Sequence, residues 1–251
     1  MRVEIRTAIA GAIGGAVAVI AVLSIAAAVN LLPIGPAFDK RVHDYLVAHP
    51  QVLVAMTDNL QQQQAQEGDV ARQRAVQKVG MKAFFDPRIA FMTGRPDSHT
   101  TFVEFFDYNC PYCRASIDTV KKFYKAHRND ARFAFIEFPI KGQESVVAAR
   151  AAIAARRQPD KYLDFHFRLM GEKDLVTEET VYADAAKVGL DVAKLKTDMA
   201  DPAVDAAIQS AHNLASAASI DGTPAFIVNG KVHEGAMDEK NLADILKNRR
   251  S

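Results

Sequence analysis

Hydrophobic residues run almost without interruption from Ala8 to Val29, and no charge occurs between Thr7 and Ala37. As a helix such a run reaches about 33 Å, enough for a bilayer core of about 30 Å. It predicts an export signal or a membrane anchor within residues 1–33. Arg2 and Arg6 ahead of it predict a cytoplasmic start, so everything after Pro33 is expected outside the cytoplasm. The run is longer than an ordinary signal core, which favours an uncleaved tether to the inner membrane. Ala26-Ala27-Ala28 offers an A-x-A cleavage site, so a soluble periplasmic chain is the alternative.

The pattern then changes. Pro33, Gly35 and Pro36 read as a linker, after which Val42, Tyr45, Leu46, His49, Val52, Leu53, Met56 and Leu60 recur at spacings of three and four. This predicts an amphipathic helix that Pro50 kinks or divides. Gln61 to Gln66 leads through Gly68 and Asp69 into a second predicted helix, Val70 to Phe84, with sparse apolar positions. Residues 34–96 are thus expected to form a helical extension too polar for a core of its own. Its apolar stripe needs a partner, either the main domain or other copies of the chain in a homo-oligomer.

Residues 97–251 alternate strand and helix patterns. Thr101-Phe102-Val103-Glu104-Phe105-Phe106 is a β-rich run, and Arg114 to Tyr124 puts Ile117, Val120, Phe123 and Tyr124 on one helical face. Arg132 to Pro139 reads as a second strand. Helical spacing follows in Val146–Arg156, Tyr162–Met170, Glu178–Val188 and Val204–Ser219, separated by Gly171, Gly189 and Pro202. Ala225 to Val228 and Val232 to Glu234 flank Asn229-Gly230, a strong hairpin signal, and a helix capped by Asp238 runs to Lys247. The order is that of an α/β domain.

At 251 residues and 49% hydrophobic, the chain is long and apolar enough for a real core. Thirty-one Lys and Arg balance thirty Asp and Glu, and no basic run stands out beyond Lys247-Asn248-Arg249-Arg250, which argues against a nucleic-acid partner.

The two cysteines stand in Cys110-Pro111-Tyr112-Cys113, at the turn where strand passes into helix. Unpaired N–H groups and the positive end of the helix dipole, roughly half a charge, favour the thiolate at Cys110. Thiolate is the reactive form. Pro111 falls at the first helical position, where its missing N–H costs nothing. Cys113, nearly a turn further in, is expected to be deeper and protonated. A disulfide across so short a loop stabilises a fold little, so the pair reads as redox-active rather than as a staple. Zinc wants four ligands, and neither a second cysteine pair nor a finger-spaced pair exists among His43, His49, His99, His127, His166, His212 and His233. No metal is expected.

Two stretches, Val103-Glu104-Phe105-Phe106-Asp107-Tyr108-Asn109-Cys110-Pro111-Tyr112-Cys113 and Gly222-Thr223-Pro224-Ala225-Phe226, together resemble the DsbA family of thiol-disulfide oxidoreductases. The resemblance spans roughly Ser98 to the C-terminus. It implies a thioredoxin fold with a helical domain inserted at about 141–220. It implies that Pro224 is a cis-proline across from the sulfurs, with Thr223 beside it to pair with a substrate strand. It also implies an acidic residue below the active site at Glu104, which with a raised pKa could take and return the proton of Cys113. DsbA itself carries Pro-His where this chain has Pro111-Tyr112. Pro-Tyr with Thr before the cis-proline is more similar to DsbG and ScsC, and Asp44 to Pro50 is similar to the N-terminal extension of ScsC-like proteins.

The expected function is that of an exported enzyme which forms or isomerises disulfides in extracytoplasmic proteins. Cys110, Cys113 and Glu104 are the expected catalytic residues; Pro111, Tyr112, Thr223 and Pro224 shape the substrate site. No cofactor is needed. The expected partners are thiol- or disulfide-containing exported proteins and a membrane redox protein that resets the dithiol. The alternative is a thioredoxin-like protein in metal handling that holds copper(I) between the two thiols.

Overall fold

Phe102 to Phe106 are buried without a break, because their strand is the middle of a sheet covered on both faces. The computed structural model describes residues 20–21, 24–25 and 36–247. Its sheet has strands β1 (Phe91–Gly94), β2 (Thr100–Phe106), β3 (Ala131–Glu137), β4 (Ala225–Val228) and β5 (Lys231–Glu234), in the order β1-β3-β2-β4-β5. Only β2 and β3 are parallel; the other pairings are antiparallel. The parallel pair needs a crossover, supplied by α3 (Pro111–His127).

Alternation along the strands sends residues to two apolar layers. Phe102, Phe106, Phe133, Phe135 and Phe226 pack with Cys110, Cys113, Val120 and Phe123 on one side. That side also receives α4 (Gln143–Ala155), α5 (Pro159–Met170), α6 (Glu178–Lys187) and α7 (Val192–Met199) through residues such as Ala151, Phe165, Val181 and Leu195. Val103, Phe105, Ala134, Ile136 and Ile227 face the other layer, where Ala211 and Ala215 of α8 (Pro202–Ala217) meet Val76, Phe84 and Phe85. Period-two counting therefore puts Glu104 on the face of Phe102, Phe106 and the cysteines. Asn229 and Gly230, at φ 52° and 78°, make the hairpin turn, and Asp238 caps α9 (Glu239–Lys247) by accepting from Asn241 N at 2.7 Å. This is a thioredoxin-like α/β fold with helices lying between β3 and β4.

The chain divides into two compact units, residues 1–66 and 67–251. The first contains α1 (Pro36–Ala48) and the start of α2 (Pro50–Val79). The helices part at His49, since Pro50 cannot donate to the preceding turn. Val42, Tyr45, Leu46, Leu53, Met56 and Leu60 of the expected stripe are exposed. The anchor or signal expected at Ala8 to Val29 lies outside the described residues apart from Ile20, Ala21, Ser24 and Ile25, which are helical. Among the described residues no helix is long and apolar enough to cross a membrane.

Three features differ from the sequence expectation. The break expected at Gly68-Asp69 is absent, as α2 continues to Val79; a helical glycine costs only about 1 kcal/mol, less than nucleating a second helix. The end of α2 is held by Val76 in the core and by Gln73, which donates to Gly230 O at 2.6 Å and accepts from Val232 N at 3.2 Å. Strand β1 reads in sequence as boundary punctuation because Gly94 ends a run of only four residues. Yet Gly94, at φ 84°, lets the edge strand close on β3, where a Cβ would stand 2.2 Å from Ala131 O. Helix α7 was not expected; Asp191 caps it by accepting from Lys194 N at 2.9 Å, and Leu195 and Met199 are its buried pair.

Candidate active site

Strand β2 delivers the chain to a turn at Asp107-Tyr108-Asn109, and Cys110 follows as the N-cap of α3 with Pro111 in its first turn. The Cys110 thiol donates to Thr223 O at 3.1 Å, and the Thr223–Pro224 peptide is cis. Pro224 O in turn accepts from Gly235 N at 3.0 Å, tying this loop to the end of β5. Both cysteines are free thiols with no solvent-accessible surface. Residues far apart in sequence thus meet at one sulfur.

Electrostatics separate the two thiols. Cys110 is lowered to about 5, first by a hydrogen bond from Cys113, against burial, and then by Thr223 and the N–H groups of Cys113 and Tyr112. The buried Thr223 hydroxyl has no partner among the described residues while Cys110 is a thiol, so it is free to donate once that sulfur ionises. The helix start contributes its N–H groups as the sequence predicts, but the neighbouring thiol contributes more. Cys113 is raised far above its ordinary value, first by burial and next by its bond to Cys110. One sulfur is an anion at neutral pH and the other keeps its proton.

Glu104 is 1% exposed and burial raises its carboxyl to about 8. Its Oε2 has no partner among the described residues, and its charge acts on Cys113. A carboxyl so buried holds its proton at neutral pH. Tyr112 is 64% exposed on the rim and Pro111 is exposed beside it. Cys110, Cys113, Glu104, Thr223 and Pro224 thus gather on one side of the sheet, while Tyr112 faces outward.

Other residues that build this site were not singled out from the sequence. The buried Asp107 carboxylate accepts from Asn109 N at 2.8 Å, Ile140 N at 2.7 Å, Lys141 N at 2.9 Å and the Ser145 hydroxyl at 2.7 Å, fixing the turn before Cys110. Its backbone O also accepts from Cys110 N at 3.1 Å. Asp107→Ala strands these donors and is expected to lower stability by about 2 kcal/mol, read by urea denaturation. Tyr108 shares a hydrogen bond of 3.1 Å with Nδ1 of the buried His166, whose pKa burial lowers to about 3, so the imidazole stays neutral. Beneath them Glu137 pairs with Arg156 and accepts from the Tyr162 hydroxyl at 2.8 Å. An acid directly after an apolar strand, as at Asp107, was the readable signal. The His166 contact had none, because its partner lies 58 positions away.

Among the described residues no group of three or more His, Cys, Asp or Glu gathers to hold a metal. The arrangement instead suits thiol-disulfide exchange, which needs an ionised attacking sulfur and a protonated resolving one.

Comparison with known proteins agrees with this chemistry. A family model described as Thioredoxin matches residues 89–248, and one described as Copper resistance protein ScsC N-terminal domain matches residues 37–67. The crystal structure of a thioredoxin-like oxidoreductase from Silicibacter pomeroyi DSS-3 is 40% identical, with 68% of this chain and 98% of that chain covered at a TM-score of 0.63. Proteus mirabilis ScsC in a transitional conformation is 25% identical, with 86% and 96% covered at a TM-score of 0.62. The Na(+)/H(+) antiporter NhaA 1 of Mycobacterium sp. (strain KMS) is 28% identical over 167 residues, 64% of this chain; the match spans only 27% of that relative's length. With the dithiol, the cis-proline loop and the sheet order all in place, the chain belongs to the thioredoxin family.

Proposed function

We propose that this protein forms or isomerises disulfides in exported proteins, with Cys110 as the exchanging sulfur and Cys113 as the resolving one. The observation that carries the reading is the split between the thiols, Cys110 lowered to about 5 and Cys113 raised, beside the Thr223–Pro224 loop. In the oxidising direction a client thiolate attacks Cys110 of the Cys110–Cys113 disulfide. The bond between the cysteines breaks, and Cys113 leaves with the electron pair and takes a proton from Glu104. A second client thiolate then attacks the client sulfur of the mixed disulfide, and Cys110 departs as a thiolate. Two electrons have passed from client to protein, and a membrane redox partner removes them. For isomerisation the reduced Cys110 attacks a wrong client disulfide, the client rearranges, and Cys110 is released unchanged. Where that stalls, Cys113 gives up its proton to the Glu104 carboxylate and attacks the Cys110 sulfur, re-forming the Cys110–Cys113 disulfide as the client sulfur leaves as a thiolate. Pro111 and Tyr112 shape the turn and Thr223 pairs with the client backbone.

Parallel refolding of a reduced and a scrambled disulfide protein tests this reading. Acceleration of either supports it, and acceleration of neither overturns it. The copper(I) alternative rests on the two soft thiolates of Cys110 and Cys113; the model whose description mentions copper resistance matches residues 37–67, a stretch containing neither cysteine.

The segment from Ala8 to Val29 is proposed to export the chain and tether it to the inner membrane, leaving residues 34–96 and 97–251 in the periplasm. The exposed Tyr45, Leu46, Leu53 and Leu60 are proposed to join copies of the chain. Leu46→Glu with Leu53→Glu is then expected to reduce the mass in sedimentation to that of a monomer. An unchanged mass overturns the oligomer.

A further inference from the structure

Ser116 is fully buried on α3, three residues after Cys113 and so on the same face of the helix. A serine inside a helix commonly returns its hydroxyl to the carbonyl four residues back, which gains the helix nothing. Ser116 Oγ does donate to Tyr112 O, at 2.9 Å. The same oxygen also accepts at 2.8 Å from Met237 N, 121 positions later in the loop between β5 and α9. Its one proton thus goes to the redox motif and a lone pair to a distant loop. The Met237 side chain is buried in the cluster that holds Cys110 and Cys113. Two residues earlier, Gly235 N donates to Pro224 O at 3.0 Å. Just before it, Glu234 Oε2 pairs with Arg72 Nη2 of α2 at 3.2 Å. Residues 234–237 are therefore fastened to α2, to the cis-proline loop and to the dithiol helix in turn.

We propose that residues 234–237 form a strap that holds the Thr223–Pro224 loop at a fixed distance from α3, and that Ser116 is the positioning residue that fastens it. The inference rests on the exchange reaction proposed above. Two residue steps separate Gly235 from Met237 and span at most about 7 Å when extended, so the strap has little slack. The chemistry gives the loop a need for such a hold. The Cys110 thiol donates to Thr223 O only while it keeps its proton. As a thiolate it has nothing to donate, so that tie is lost when the sulfur becomes reactive. The Gly235 and Met237 bonds do not involve the sulfur and remain. While they hold, the Thr223 hydroxyl, which has no partner among the described residues, stays within reach of the thiolate. With the strap loosened the thiolate loses a donor. Ser116 thus acts on the sulfur through Met237, Gly235 and Pro224.

The test uses the full chain and two readouts, the pH profile of Cys110 alkylation and the dithiol–disulfide equilibrium with glutathione. Ser116→Ala is expected to alkylate about fivefold more slowly than wild type at pH 5 and at nearly the wild-type rate at pH 8, because the thiolate fraction is what falls. Its equilibrium is expected to move about tenfold towards the disulfide, since the reduced form has lost stabilisation. Ser116→Thr, which keeps the hydroxyl, is expected to restore both. A Ser116→Ala variant that lowers only the urea midpoint overturns the strap, as does an alanine effect that threonine leaves in place. Should Ser116→Ala fail to fold, Arg72→Gln loosens the strap from its other end, with an expected change of about twofold in the same direction; wild-type values in that variant overturn the proposal. A wild type that exchanges with neither glutathione nor a client protein overturns the functional reading itself.

Discussion

Cys110→Ser abolishes disulfide exchange, while Cys113→Ser remains able to attack and accumulates as a mixed disulfide with its client. These opposite outcomes follow from the two microenvironments. At neutral pH an ordinary thiol is only about 1% ionised, whereas a sulfur lowered to about 5 is almost fully thiolate. Its rate of alkylation is expected to rise through about pH 5, with Cys113 unreactive until the chain unfolds. The depressed pKa also stabilises the folded reduced form. That contribution is complete above the ordinary thiol value of 9.0 and is lost as pH falls through about 5. Stabilising the reduced form makes the disulfide the better oxidant. Mass spectrometry of non-reduced mixtures checks the assignment, and adducts on Cys113 in the Cys110→Ser variant reverse it.

Glu104→Leu is expected to stabilise the reduced chain while slowing exchange. The carboxyl ordinarily titrates at 4.5 and is raised to about 8 by burial alone, so the folded protein resists its ionisation. Wild-type stability is therefore greatest below the ordinary value, falls as pH rises from 4.5 towards about 8, and has lost the full amount above that, on the order of 5 kcal/mol. The variant lacks this slope, and urea denaturation at pH 5 and pH 8.5 measures the difference. Function should move the other way. Cys113 resists ionisation by burial, so its leaving and resolving steps need a proton partner close by, and Glu104 is the acid whose charge acts on it. Slower resolution of the mixed disulfide, most marked near pH 8, is the expected result. A variant with wild-type resolution and an unchanged stability profile overturns the role.

The motif region was legible because its signals are local. Phe102 to Phe106, Pro111 and the stripe Ile117, Val120 and Phe123 report strand, first turn and buried face without knowledge of the rest of the chain. The hairpin was legible because Asn229-Gly230 accepts the positive φ its turn requires. Strand β1 was not, since four residues ending in glycine carry too little pattern and exist as a strand only by pairing with β3. Gly68 misled for the opposite reason: its local penalty is real but small, and the helix around it outweighs it.

Sequence alone determined the kind of chemistry, because two cysteines at that spacing before a helix, with Thr223-Pro224 downstream, define which atoms can react. It also determined the order of the main elements, which is written in local periodicity. Tertiary structure decided which sulfur ionises, since Cys113, Thr223 and the burial that acts on Cys110 are set by packing. It decided that Glu104 lies on the sheet face of Phe102, Phe106 and the cysteines, because both faces of β2 are apolar and buried and its alternation alone does not say which face meets the dithiol. It decided as well that Asn109 and Arg114 hold a loop beginning nearly sixty residues later, with |i−j| of 59 from Arg114 to Lys173. Periodicity fixes a residue's face on its own element; charge, access and partner come from elements that only folding brings alongside.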